Sequence, residues 1–280
     1  MKGSTMRLAS FVHADQSAYG AVHGDHVVRL DQTPGAPVDL CGYIARHCGN
    51  WPTAVSGEEI PLHAVRLLPP IAAPGKILCV ATNFREGKPD PEFPLTFTRF
   101  ADTIVGHGEP LLKPAVSQKY DYEGELAVII GKPGHKIARE QALDHVAGYS
   151  CFNDGSVRDW QKHSSQFIPG KNFHRSGSMG PWLTTADEID DFAAIELRTR
   201  VNGVVKQDIS MARMIFDVAW LVSYFSTFTP LAPGDVIATG TPSGFGSTRT
   251  PPEFLVDGDR VDVEISGLGT LTNIVRQDAG

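Results

Sequence analysis

Two glutamates stand one residue apart at the head of an apolar run in KYDYEGELAVIIGK, Lys119 to Lys132. Side chains alternate across an extended strand, so Glu123 and Glu125 share one face while Tyr122, Leu126 and Val128 take the other. Like charges at that spacing repel, and burying them unpaired is costly enough to force one of them to keep its proton. A solvated face with Lys119 or Lys132 nearby relieves the pair, and so does a cation held between them. A third carboxylate stands in AGYSCFNDGSVRDWQ, where another apolar strand ends in Asn153-Asp154. If the two strands are neighbours, Asp154 joins the glutamates as a hard oxygen donor. Three such donors suit Mg²⁺, Mn²⁺ or Ca²⁺ and leave coordination positions for a small ligand. Asp154 alone also suits a helix N-cap, since Asp accepts well from the first free N–H groups of a turn.

These residues need elements to hold them. Beyond Lys76, strands are predicted at KILCVATNF, EPLLKP, GELAVIIGK, AGYSCFND, ELRTRVNG, DVIATGTP and DRVDVEIS, separated by turn chemistry such as GKPGH, VNG, PGD and DGD. Helices are predicted near Leu40 to Ala45, at Ala138 to His145 and around Ile215 to Ser226. This mixture lacks the regular strand–helix alternation of a doubly wound sheet and fits a β-rich α+β roll or barrel. Residues 6–68 read as a small β-rich unit in which Gly24-Asp25 turns between two short strands. LLPPIAAPGK, Leu67 to Lys76, cannot pair continuously in a sheet because proline lacks the backbone donor. The expected division is therefore a small N-terminal β-rich domain over 1–70 and a larger domain over 71–280.

Composition narrows the function classes. With a net charge of −7 over 280 residues and no cluster of Lys and Arg, the chain offers no surface for nucleic-acid phosphates. Apolar stretches such as Leu126 to Ile130 are far shorter than the roughly 20 residues that span a bilayer. MKGSTMRLASF lacks the apolar core of a secretion leader, and Met6 is a second candidate start, so a cytoplasmic protein is expected. Cys41, Cys48, Cys79 and Cys151 form no C-x-x-C pair and read as free, buried thiols.

At larger scale, DYEGELAVIIGKPGHKI, FNDGSVRDWQ, QFIPGKNFHRSGSMGPWLTTADEI, VNGVVKQD, MIFDVAWLVSYFS and LAPGDVIATGTPSGFG resemble, in that order, the successive motifs of the fumarylacetoacetate hydrolase family. The resemblance runs from about Pro74 to Ile274. It implies a β-roll catalytic domain, commonly paired as a homodimer, with a divalent metal, Mg²⁺ first and Mn²⁺ or Ca²⁺ as alternatives, on Glu123, Glu125 and Asp154. It implies a small 2-oxo or 2,4-dioxo acid as substrate, because such an acid can chelate a metal that stabilises an enolate or oxyanion. Lys171 in GKNF resembles the family lysine that faces the substrate, and is otherwise a loop lysine in solvent. Gln161 in RDWQ resembles a glutamine that bonds the substrate. Thr241 in ATGTPSGFG resembles the residue whose hydroxyl and N–H receive the substrate carboxylate. Arg99 in TFTRF is expected to meet a distal carboxylate, with a surface ion pair as the ordinary alternative. Arg158 and Asp159 are expected to brace the metal loop.

The resemblance breaks after KILCVATNF. Family hydrolases carry there a mobile segment with a histidine–glutamate dyad that activates water, whereas this chain reads NFREGKPDPEFPLTF, shorter and without histidine. Glu86 is the best substitute base; His107 in VGHGEP and His174 in NFHRSG are the others, each otherwise structural or solvated. Hydrolysis of a C–C bond in an acylpyruvate-like or fumarylacetoacetate-like acid is the first expectation. Decarboxylation or isomerisation of an oxaloacetate-like or hydroxymuconate-like 2-oxo dicarboxylic acid is the alternative, since enolate chemistry survives loss of a water-activating base. A metal-binding homologue without turnover is the third.

Overall fold

The fold is described from a computed structural model covering residues 6–189 and 191–279. Residues 1–5 of MKGSTMRLASF, read above for a leader, lie outside the described residues.

The strand Gly124–Ile130 lies inside the largest of three sheets among the described residues, the smallest being the pair Tyr120–Asp121 and Ser156–Val157. From one edge this sheet runs Glu59–Pro61, His26–Arg29, Gln16–His23, Arg7–His13, Gly177–Thr185, Val146–Asn153, Gly124–Ile130, Val236–Ala238, Ile77–Val80 and Thr96–Arg99. Both faces of Gly124–Ile130 are covered, and alternation sorts its side chains between two cores. Leu126, Val128 and Ile130 pack with Leu197, Val263 and the helix Val218–Phe228, while Ala127 and Ile129 pack with Ile77, Cys79, Phe97 and the helix Leu40–His47. A strand buried on both sides reads as a near-continuous apolar run, as this one does.

The second sheet is Val204–Ser210, Glu196–Val201, Arg260–Ile265, Gly269–Gln277 and Leu111–Lys113. It approaches the first so closely at Gly124 that a Cβ there would meet Thr199 Oγ1 at 2.0 Å. Only glycine fits between the two glutamates. The helix Val218–Phe228 is started by Asp217, whose carboxylate accepts from Trp220 N–H at 2.8 Å, and Leu40–His47 by Asp39 in the same way. The helix predicted at Ala138 to His145 is a 3₁₀ run over Arg139–His145.

The strands before the proline-rich segment do not form a sheet of their own. Arg7–His13 pairs antiparallel with Gly177–Thr185, with Leu8 opposite Leu183, so this unit extends the large sheet while keeping a small core of Phe11, Val27, Ile60 and Leu67. No helix among the described residues is long and apolar enough to cross a membrane. All four cysteines are free.

Candidate metal centre

Strand register brings the three carboxylates together. Gly124 pairs with Asn153, which sets Glu123 level with Asp154, and Asp154 N–H donates to Glu123 O at 2.9 Å. One oxygen from each of Glu123, Glu125 and Asp154 lies within 4.8 Å of the others, and all three residues are buried. The adjacent Gly155 turns the chain where a Cβ would sit 1.9 Å from Ser176 O.

Cations occupy most of the remaining lone pairs. Lys171, on the short helix Ile168–Lys171, donates from Nζ to Glu123 Oε2 at 2.7 Å and to Asp154 Oδ2 at 2.5 Å, above the Phe97 ring. Arg99 donates to Asp154 Oδ1 at 2.6 Å, and Arg158 lies 2.5 Å from Glu123 Oε1. Glu125 differs from both: its Oε2 accepts from Gly240 N–H at 2.9 Å, and its Oε1 is buried with no partner.

The electrostatics follow from that difference. Burial, then the nearby charges of Asp154 and Glu123, push Glu125 well above the usual carboxylate range. Burial acts on Asp154 too, but Lys171 and Arg99 outweigh it and hold that carboxyl below its ordinary value. Burial disfavours the Lys171 ammonium, yet Asp154 and Glu123 more than compensate and raise it. Four buried carboxylates, counting Asp121, face three buried cations, which leaves one negative charge unbalanced. A proton on Glu125 removes it. A divalent cation would overcompensate it by one positive charge, which an anionic ligand can take up, and the donor set fits such an ion: three hard carboxylates, one with an orphaned oxygen.

Several residues expected to touch substrate have other duties here. Arg99, read as a receptor for a distal carboxylate, is 3% exposed and spends its guanidinium on Asp154, Gly155 O, Ser176 Oγ and Thr103 Oγ1. It braces a candidate ligand because the sheet edge carrying it folds over Asp154. Thr241, read as part of an anion nest, donates its hydroxyl to Gly124 O at 3.0 Å and its N–H to Ala81 O at 3.0 Å. Both groups are committed to the scaffold. Gln161 is half-buried, with Oε1 accepting from Arg158 at 3.1 Å. Glu86 is exposed and accepts from Ser243 N–H at 2.9 Å and Ser243 Oγ at 2.5 Å, which fixes it to the turn that also holds Glu125. Arg158 also donates to Asp121 Oδ2 at 2.7 Å, and Asp159 accepts from Ser117 Oγ at 2.6 Å.

The alternative histidines are elsewhere. His107 accepts from Thr272 N–H and lines a cavity of about 860 Å³ with Trp182, His63 and Arg66. None of the clustered carboxylates lines that cavity, so its size does not make it the reaction site. His174 is exposed. Three further buried polar residues hold the site's surroundings together without a signal of their own in the motifs above. Asp121 holds Arg158 and the N–H groups of Gly246 and Ser247; Asn83 ties Phe216 to Thr239; Gln207 bonds Gly124, Thr241 and Pro242. Asp121 was within reach, because the alternation that pairs Glu123 with Glu125 continues back to it.

Comparison with known proteins gives the same region a context. The family described as "Fumarylacetoacetate (FAA) hydrolase C-terminal" matches residues 76–276, and "Rv2993c-like, N-terminal" matches residues 6–70. "Oxaloacetate tautomerase fahd2, mitochondrial" of Xenopus laevis is 43% identical over 288 aligned residues, covering 97% of this chain and 90% of that protein. "Oxaloacetate tautomerase YisK" of Bacillus subtilis is 42% identical over 225, covering 77% of this chain and 73% of that protein. Among solved structures, a fumarylacetoacetate hydrolase from Exiguobacterium antarcticum superposes with a TM-score of 0.89 at 35% identity, covering 98% of this chain and all of that one.

Proposed function

The chain belongs to the fumarylacetoacetate hydrolase family, and from that membership we propose that it is a divalent-metal-dependent tautomerase of a 2-oxo dicarboxylic acid of the oxaloacetate class. Two relatives above 40% identity carry the name oxaloacetate tautomerase, which supports the isomerase alternative over the C–C hydrolysis first expected. Enzymes of this family act on small acids, and the tautomerisation of such an acid moves one proton from the carbon beside the keto group to the keto oxygen, or back.

Glu123, Glu125 and Asp154 are the residues that would hold the ion, Mg²⁺ first with Mn²⁺ or Ca²⁺ as alternatives. When bound there, it supplies Lewis acidity to the keto oxygen of the acid. The chain's own groups do the rest. The ammonium of Lys171 is a fixed positive charge beside the place where enolate charge develops, and it needs no reorganisation as the reaction proceeds. Gln161 offers an amide for orienting the acid. Glu86 is the candidate proton carrier: its carboxylate can take the proton from carbon and return it, in a loop with no histidine to activate water. The observation that carries the reading is Lys171, buried and bonded to two of the three carboxylates.

The test is to mix enol-enriched oxaloacetate with the Mg²⁺-loaded protein and follow loss of enol absorbance, with NMR identification of products. Enol–keto interconversion well above the uncatalysed rate, abolished by chelation, is expected. Release of CO₂ or hydrolysis of an acylpyruvate at a higher kcat/KM would replace this reading with decarboxylation or with the hydrolysis suggested by the Exiguobacterium likeness. Rates equal to those without protein for all three substrates would leave a binding protein.

A further inference from the structure

Gly124 sits between two candidate ligands on one strand, at a place where that strand has lost its neighbour. The ladder to Val236–Ala238 ends with Ala127 opposite Ala238. Thr239 still donates its N–H and hydroxyl to Leu126 O, and the chain then turns away through Gly240 at φ +98°. The buried N–H and C=O of Gly124 on that side must therefore be satisfied by something other than a strand.

Side chains do it. Gly124 N–H donates to Gln207 Oε1 at 2.9 Å; Gln207 Nε2 donates to Thr241 Oγ1 at 2.8 Å and to Pro242 O at 2.9 Å; Thr241 Oγ1 donates to Gly124 O at 3.0 Å. The bonds close a ring. Gln207 comes from Val204–Ser210 in the second, five-stranded sheet and is 2% exposed, and both amide hydrogens and its oxygen are used. Within one residue of Thr241, Gly240 N–H holds Glu125 Oε2.

We propose that Gln207 is a positioning residue for the cation site: it fixes the peptide planes on either side of Gly124, and with them the directions of Glu123 and Glu125, and ties both to the turn Gly240–Pro242. Gly124 has no side chain to restrict its backbone, so the ring supplies the restraint that packing cannot. The inference rests on reading Glu123, Glu125 and Asp154 as cation ligands. Groups that orient ligands in this way typically change metal affinity by about 10- to 100-fold when removed.

Calorimetric titration of the full chain with Mn²⁺ tests it. Gln207→Leu and Thr241→Val should each weaken Mn²⁺ binding by roughly 10- to 100-fold. The double variant should be no weaker than the worse single one, because one ring is broken once. Ile44→Ala, in the helix Leu40–His47, provides the measure of a purely structural lesion: it should lower Tm and leave Mn²⁺ affinity unchanged. Should Gln207→Leu not fold, Gln207→Asn, which keeps the amide but shortens its reach, carries the same expectation beside Thr241→Val. Variants that bind Mn²⁺ like the wild type overturn the role of Gln207. A wild type that binds no Mn²⁺ overturns the cation reading instead, and the two failures are told apart in the first titration.

Discussion

The protein concentrates charge in two places built from the same residue types. On the second sheet, Arg198 pairs with Asp208, Arg200 with Glu264 and Arg260 with Asp262, and most of these side chains are partly or largely open to solvent. At the end of the first sheet, where Gly124–Ile130 begins and Val146–Asn153 stops, Arg99, Arg158 and Lys171 meet Asp121, Glu123 and Asp154 with side chains at most 10% exposed. Strand register contributes to both sets: Arg198 lies opposite Asp208 and Glu264 just as Glu123 lies level with Asp154. What separates them is the medium. Exposed pairs trade hydration for little net gain, whereas buried charges give up hydration and depend wholly on their partners. The buried set is also uneven, since Glu125 is left with an orphaned oxygen, which a cation held among the three carboxylates would satisfy.

The sharpest way to separate the regions is Glu125→Gln. The amide keeps the shape and the bond from Gly240 but removes the charge that a cation requires. Metal-dependent turnover should fall by about three orders of magnitude or more. The same residue governs pH dependence. Its folded-state value is raised, so its contribution to metal-free stability is present below the ordinary carboxylate range and is lost as pH rises through the raised value. Asp154, depressed by Lys171 and Arg99 against the effect of burial, does the opposite and loses its contribution as pH falls. Where Glu125 keeps its proton, cation binding must release it. Mn²⁺ affinity should therefore rise with pH, and titrations in buffers of different ionisation enthalpy should report proton release in the wild type and none in Glu125→Gln. Equal heats in all buffers would contradict this.

Lys171→Met comes next. It removes the shared donor of Glu123 Oε2 and Asp154 Oδ2, and breaking one side of a buried pair costs about 3–5 kcal/mol of folding stability. Urea denaturation of the metal-free protein measures it. A loss below about 1 kcal/mol, the range of an exposed pair, would place the cluster in the same class as the outer sheet.

The pattern of this cluster is legible in the sequence, and its surroundings are not. GELAVIIGK and AGYSCFND were legible because β-branched and apolar runs bounded by turns leave few alternatives, and Gly124–Ile130 and Val146–Asn153 are the strands they form. Gly177–Thr185 was not, since GSMGPWLTT has no such run; neighbours on both edges make it a strand. Alternation placed Glu123 and Glu125 on one face but says nothing about what covers that face. The cover comes from Arg99, 55 residues before Asp154, and from Lys171, 48 residues after Glu123. For the same reason the sequence points Arg99 at a substrate acid rather than at Asp154. Gln207 had no local signal, because one glutamine in a polar strand becomes a bridge only when two sheets close over Gly124.

The smallest expected effect tests the comparison from its other side. Arg198 donates to both oxygens of Asp208, at 3.0 and 3.1 Å, which is the bidentate geometry that makes an ion pair strongest. Geometry alone would rank it with Arg158, which makes two such contacts to the carboxylates of Asp121 and Glu123. Its side chain is 34% exposed and that of Asp208 46%, so water already solvates both charges and salt screens them. Arg198→Ala should therefore cost at most about 1 kcal/mol in urea denaturation, and less at high salt, with metal affinity unchanged. A loss equal to that of Lys171→Met would mean that hydrogen-bond geometry, and not burial, sets the worth of a charge in this fold, and the distinction between the two regions would fall with it.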